Sequence, residues 1–296
     1  MFFTLGFVAS FLAGIFIRNQ TLIIGGSSSV YPLFTALESD LEKKDKAYQY
    51  ISSGSYAGIW GVLNERLEVG FMSKEFNFKE DEEVSKTLKN KNFQLEKKEI
   101  ARDGIIFVYQ LPDNCSLKNK LTKNKLTNLN LKTKELKEIY SEPVFNWEDL
   151  IGVECSSLKN KIHRISRQNG SGTRSVFEKK VMNNEDVITD NTEKSSGPIL
   201  KSIKNTPGQI GYVSFSYIDK IRKMHKSNPK IGILSLNGVT PSIKTIKNKE
   251  YFLFRPFIML FLHKNEEKLQ KFFNFLAQKS SKKKIENKKF IYTYEQ

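Results

Sequence analysis

The chain has 296 residues, 39% hydrophobic and 12% aromatic, which excludes wholesale disorder and leaves room for two lobes of about 100–200 residues each. Lys and Arg number 48 against 32 Asp and Glu, a formal charge of +16, yet the lysines do not alternate with aromatics and no zinc-finger or RNA-recognition motif accompanies them, so charge alone does not point to nucleic acid. Two cysteines and three histidines without metal-ligand spacing exclude a CxxC redox motif and a catalytic zinc; Cys115 and Cys155 read as buried thiols, with a single disulfide as the alternative.

The first element is MFFTLGFVASFLAGIFI, Met1 to Ile17, which carries no charge and ends at Arg18. It is shorter than the roughly 20 apolar residues of a relaxed membrane span. It suits an export signal or short anchor, although it lacks a basic leading region and a lipid-attachment cysteine. Residues 1–20 are therefore expected to export or anchor the chain, with the folded part outside the cytoplasm.

Three turns of one kind follow. A strand over Thr21–Gly25 leads into GSSSVYP and then a helix in which Leu33, Phe34, Leu37 and Leu41 share a face. Pro32 fits its first turn, where a missing N–H costs nothing. A second strand, Tyr48–Ser52, leads into SGSYAG and a helix with Ile59, Val62, Leu63 and Leu67 inward. A third, Ile162–Ser166, leads into RQNGSG and a helix from Thr173 to Met182, with Val176, Phe177 and Val181 as its apolar side.

The first N–H groups of a helix lack internal partners and lie at the positive end of its dipole, so an oxyanion is well held there. Glycine permits close approach, hydroxyls add adaptable donors, and the Arg167 fork suits two oxygens of one anion. A serine at one helix start is ordinarily a cap; three such turns, one with an arginine, favour an anion site. No P-loop and no nucleophile elbow is present. Ser156–Lys159 matches SxxK without its companion motifs, and His163 has no acidic orienter, so a hydrolase is not supported.

At this point a family resemblance appears. GSSSVYPL, SSGSYAGI, EVGFMSKEF, ARDGIIFVY, LKEIYSEPVFNWEDLIG, RQNGSGTRSVFE, PGQIGYVSFSYI, NGVTPSIKTIKNKEYFLFRP and FFNFLAQK are similar, in order, to stretches of the phosphate-binding proteins of phosphate-specific ABC transporters. The resemblance covers nearly everything after residue 20. It implies an α/β, two-lobed type II periplasmic-binding-protein fold with a central cleft and a two-strand hinge. Lobe I would comprise residues 21–105 and 250–296, lobe II residues 106–249. The chain would cross near Asp103–Val108 and return near Tyr251–Pro256, with Phe257–Leu262 a buried strand and Glu266–Gln278 a helix. The segment from about Leu117 to Lys137 alternates Lys, Asn and Leu, a pattern compatible with a surface loop carrying a short helix that the sequence does not settle.

The resemblance further implies phosphate donors at Ser28, Ser29 and Val30, with Tyr31 as an aromatic backbone donor. It implies Ser55 from the second turn, and Arg167, Ser171, Gly172 and Thr173 from the third. Many members have an aspartate in the stretch matching Met72–Lys74, accepting the proton of hydrogen phosphate. Here Ser73 stands there, followed by Lys74, and a serine does not repel sulfate. The expected function is the extracytoplasmic binding component of a phosphate ABC importer, on the outer face of the membrane, monomeric, with permease subunits as partners. No catalysis, metal, cofactor or nucleic acid is expected. Another oxyanion, sulfate or molybdate, and a surface adhesin on the same fold are the alternatives.

Overall fold

A computed structural model describes residues 21–42, 48–118 and 125–295; the expected signal or anchor at residues 1–20 lies outside the described residues. The fold begins with three parallel strands. β1 (Leu22–Gly26) pairs with β2 (Tyr48–Ser52) on one side and with β3 (Val69–Met72) on the other. α1 (Tyr31–Glu42) joins β1 to β2, and α2 (Ser55–Leu63) joins β2 to β3. Leu33, Phe34 and Leu37 of α1 are fully buried, as their helical spacing requires; the side chain of Leu41 lies outside the described residues.

α3 (Glu82–Lys91) shows how locally a helix can be specified. Asp81 caps it by accepting the Val84 N–H at 3.1 Å. Glu82 and Glu83 lie in its first turn, Lys89 and Lys91 in its last, and Asn92 ends it in the left-handed region at φ 52°.

β4 (Leu95–Gln110) is a 16-residue strand that serves two sheets. The elements after it are β5 (Cys115–Leu117), β6 (Thr127–Leu131), α4 (Thr133–Ser141), β7 (Val153–Cys155), β8 (His163–Arg167), α5 (Gly172–Lys180), β9 (Asn191–Glu193), α6 (Ser196–Asn205), β10 (Gln209–Ser214), α7 (Ile218–Ser227), β11 (Ile231–Leu236), α8 (Ile243–Lys247), β12 (Phe254–Leu262), α9 (Glu266–Leu276), α10 (Lys279–Asn287) and β13 (Ile291–Tyr292). From Leu95 to Gly104, β4 lies antiparallel to β12. From Ile105 onward it lies between β10 and β11. One sheet therefore runs β2-β1-β3-β12-β4-β13 and the other β6-β11-β4-β10-β8-β9.

The apolar run of β12 is explained by burial on both faces. Phe257, Met259 and Phe261 pack with Phe34, Phe71 and Phe272 on one side of their sheet. Ile258, Leu260 and Leu262 pack with Ile59, Leu63 and Met72 on the other. Alternate side chains of a strand point to opposite faces, so a strand covered twice is apolar throughout. The second sheet is held by an aromatic knot of Phe107, Tyr140, Phe177 and Tyr212, with ring centroids 4.8 to 6.4 Å apart.

One expectation needs correction. Cys115 and Cys155 are not free thiols: they face each other in the antiparallel β5–β7 pair and form a disulfide. Sequence separation concealed this, because positions 40 apart in sequence are brought together only by the pairing of β5 with β7. In the segment left open before Lys137, the described residues form β6, which adds to β11 as a sheet edge, and α4, which follows it directly.

Candidate anion-binding site

Three strand-to-helix turns meet between the two sheets. Gly26 ends β1 at φ +124°, in the region that favours glycine, and a Cβ there would run into the Phe71 carbonyl. That close approach sets the first turn against β3. The Ser27 hydroxyl then donates to Ser73 Oγ at 2.8 Å and accepts the Ser29 N–H at 3.3 Å. In the second turn, the N–H groups of Ser53 and Gly54 both donate to the Gly26 carbonyl, at 2.9 and 2.8 Å. Ser55 opens α2 fully buried, and its Oγ accepts the Ser73 N–H at 3.2 Å.

The third turn comes from the other sheet. Arg167 ends β8 and is 3% exposed. Its Nε donates to Glu193 O at 3.2 Å and its Nη2 to Lys194 O at 2.7 Å, which fixes the side chain. Nη2 also reaches Ser28 Oγ at 3.1 Å, and Nη1 reaches Thr173 Oγ1 at 3.1 Å. Ser171 caps α5 by accepting the Arg174 N–H at 3.5 Å, and Gly172 is the first helical residue. A Cβ on Gly172 would collide with Ser73 Oγ and lie 2.7 Å from Ser55 Oγ. Ser29 Oγ and Thr173 Oγ1 are 3.2 Å apart across the cleft. The start of α5 thus rests against both turns of the first lobe, a closed arrangement.

The expected residues fare differently. Ser28, Ser29, Ser55, Ser73, Arg167, Gly172 and Thr173 converge. Ser171 is at the site's edge with its oxygen used as a helix cap. Val30 is not available as a donor: its N–H bonds to Ser27 O at 3.0 Å and its side chain is in the core. Tyr31, 44% exposed, is the first residue of α1, where a backbone N–H is offered outward, and its ring is tilted against Tyr50 with centroids 5.4 Å apart.

Three residues escaped the sequence reading. Ser27 is buried and bonded to Ser73. Arg255 and Asp103 are both buried, and Arg255 Nε and Nη2 donate to Asp103 Oδ2 at 3.1 and 2.7 Å. Arg255 Nη1 donates to Thr173 Oγ1 and lies 3.5 Å from Ser73 Oγ. For Asp103 and Arg255 a signal was present: each is a charged residue on a strand that becomes strongly apolar immediately afterwards, and a charge so placed needs a partner.

The electrostatics suit an anion. Burial, and then repulsion from Arg255, lowers the Arg167 pKa to about 10. Burial also lowers that of Arg255, against the pull of Asp103. Burial raises that of Asp103, against the pull of Arg255 and its hydrogen bonds. Two guanidinium groups thus converge on one hydroxyl, Thr173 Oγ1, and negative charge between them relieves their repulsion. Beside the site a cleft of about 510 Å³ is lined by Lys74, Arg102, Lys179, Lys180 and Lys249 and by the carboxylates Glu75 and Glu99. Lys74 is half-buried, 4.8 Å over the Tyr56 ring, with its pKa lowered by burial.

Comparison with known proteins agrees with this architecture. The chain is 28% identical over 235 residues to the phosphate-binding protein PstS of Bacillus subtilis (strain 168), which is 79% of this chain and 67% of that protein. It is 24% identical over 286 residues to PstS of Borreliella burgdorferi, covering 92% of this chain and 90% of that one. A solved structure of a putative phosphate ABC transporter substrate-binding protein from Clostridium perfringens, with bound phosphate, aligns with a TM-score of 0.70 at 25% identity. That alignment covers 92% of this chain and 99% of that one. The family model described as the PBP superfamily domain matches residues 18–280. The chain belongs to the PBP superfamily and has its two-lobed type II periplasmic-binding-protein fold.

Proposed function

We propose that this chain is the substrate-binding component of a phosphate ABC importer, holding inorganic phosphate between its two lobes and delivering it to a permease. The observation that carries this is the convergence of Arg167, Arg255 and the start of α5 on a cluster of buried hydroxyls. The similarity to PstS proteins and to a phosphate-bound structure supports it. Arg167, Arg255, Ser28, Ser29, Ser55, Ser73, Gly172 and Thr173 are the proposed ligands. Ser171 positions α5, and the basic cleft leads anions inward.

The lobes divide, in this proposal, at residue 105 in β4 and near residue 250 before β12. Closure brings donors from both lobes onto one ion, so the ligand stabilises the closed form because it bonds fully only there. Binding and release need no covalent step, so the chain acts as a carrier and not as an enzyme. It works as a monomer on the extracytoplasmic face, retained through residues 1–17. The Cys115–Cys155 disulfide favours that compartment, since such bonds persist where thiols are not kept reduced. Calorimetric titration of the purified protein with phosphate tests the proposal: one site per chain is expected, and a folded protein that takes up no phosphate would refute it.

A further inference from the structure

We infer that the anion site is assembled, among the described residues, from donors with no free carboxylate facing the ligand, and so takes sulfate alongside phosphate. The inference rests on the oxyanion-binding proposal above and concerns which anions that site admits. Telling hydrogen phosphate from sulfate needs an acceptor for the P–OH proton. A carboxylate serves best, because it also repels an anion that has no proton.

Asp103 is the carboxylate tied into this site, and its acceptor capacity is used. Oδ1 accepts the Ser214 hydroxyl at 2.8 Å and Oδ2 accepts Arg255 Nε and Nη2. The Phe215 backbone N–H is a fourth donor to the same group. A carboxylate offers about four lone-pair positions, so Asp103 has none left for a ligand proton.

The hydroxyls are constrained in the same way. Thr173 Oγ1 accepts from both Arg167 Nη1 and Arg255 Nη1. A hydroxyl has two lone pairs and one proton, so Thr173 can only donate further. Ser73 Oγ accepts from Ser27 at 2.8 Å and lies 3.5 Å from Arg255 Nη1, which leaves its proton as its main offering. Ser28 and Ser55 each already accept one N–H. Among the donors a P–OH therefore finds a neutral hydroxyl or carbonyl, and sulfate meets no unpaired carboxylate; Glu75 and Glu99 belong to the cleft beside the site.

The test is calorimetric titration of the purified chain with phosphate and with sulfate, singly and in competition. A neutral hydroxyl acceptor gives only weak preference, so sulfate should bind by itself and halve phosphate occupancy at no more than about a hundredfold excess. Phosphate binding untouched at that excess overturns this inference and leaves the phosphate-binding proposal standing. Binding of neither anion overturns both. Ser73→Asp gives an independent readout, since it sets a carboxylate among the donors: sulfate affinity should fall more than about tenfold relative to phosphate. Equal losses for the two anions overturn the inference. If that variant does not fold, the wild-type competition decides.

Discussion

Arg255 lies directly across from Asp103 in the β4–β12 ladder, and both side chains are buried where the chain passes between its two lobes. Two guanidinium nitrogens hold the carboxylate, while the third points at Ser73 and Thr173, one residue from each lobe. One side chain thus serves the hinge and the site together.

That double role separates stability from binding. Arg255→Ala leaves a buried carboxylate without its partner and should cost about 3–5 kcal/mol in urea unfolding. The double variant Arg255→Met with Asp103→Leu removes both charges and should recover much of that stability. Calorimetry should show that phosphate affinity does not return with it. Full recovery of binding would remove Arg255 from the site.

Arg167 is held by the carbonyls of Glu193, at the end of β9, and of Lys194 just after it; its loss should leave the lobes folded. Arg167→Ala should weaken phosphate binding at least about thirtyfold, because a buried charge that pairs with the ligand is gone. Unchanged affinity in a variant with wild-type circular dichroism would refute its assignment as a clamp.

Gly172 tests closure itself. The atoms its Cβ would meet, Ser55 Oγ and Ser73 Oγ, belong to the other lobe, so Gly172→Ala should fold normally and resist closing. Phosphate affinity should drop by at least about tenfold, the order expected when overpacking costs about 1–3 kcal/mol. Small-angle scattering should show no compaction on adding phosphate; a normal ligand-induced compaction would count against the closed geometry.

Asp190 should set part of the acid sensitivity of the second lobe. Burial opposes its ionisation, but hydrogen bonds from Lys161, from the Arg164 N–H and from the Arg164 guanidinium hold its carboxyl well below the usual range. A depressed folded-state pKa stabilises above the unfolded value of about 4 and is lost as pH falls below it. Asp190→Asn should therefore cost about 1 kcal/mol at neutral pH, since solvent screens a carboxylate this exposed. The gap from wild type should narrow in urea titrations as the pH drops below about 4. A gap that is constant with pH would contradict the assignment.

The basic cleft should govern how fast anions arrive. Lys179 and Lys249 are exposed on its wall, so Lys179→Glu with Lys249→Glu should slow phosphate association severalfold at low salt. The difference from wild type should shrink as ionic strength rises. Stopped-flow rates that are identical at low salt would show that the cleft is not the route.

The sequence by itself determined the elements and the kind of chemistry. Apolar spacing placed Leu33, Phe34 and Leu37 on the buried face of α1, and the run from Phe257 to Leu262 marked a strand covered on both sides. Serine and glycine at three helix starts, with Arg167 nearby, pointed to an oxyanion, because helix ends and turns are decided within a few residues. Tertiary structure alone decided what these pieces do together. Asp103 and Arg255 are 152 residues apart, Ser73 and Arg255 are 182 apart, and Cys115 meets Cys155 through the pairing of β5 with β7. Whether the Val30 N–H faces the ligand or closes its own turn was likewise settled by the bond to Ser27. Such outcomes depend on which strands lie side by side and in what register. Hydrophobic burial over the whole chain selects that arrangement, and local spacing carries no record of it.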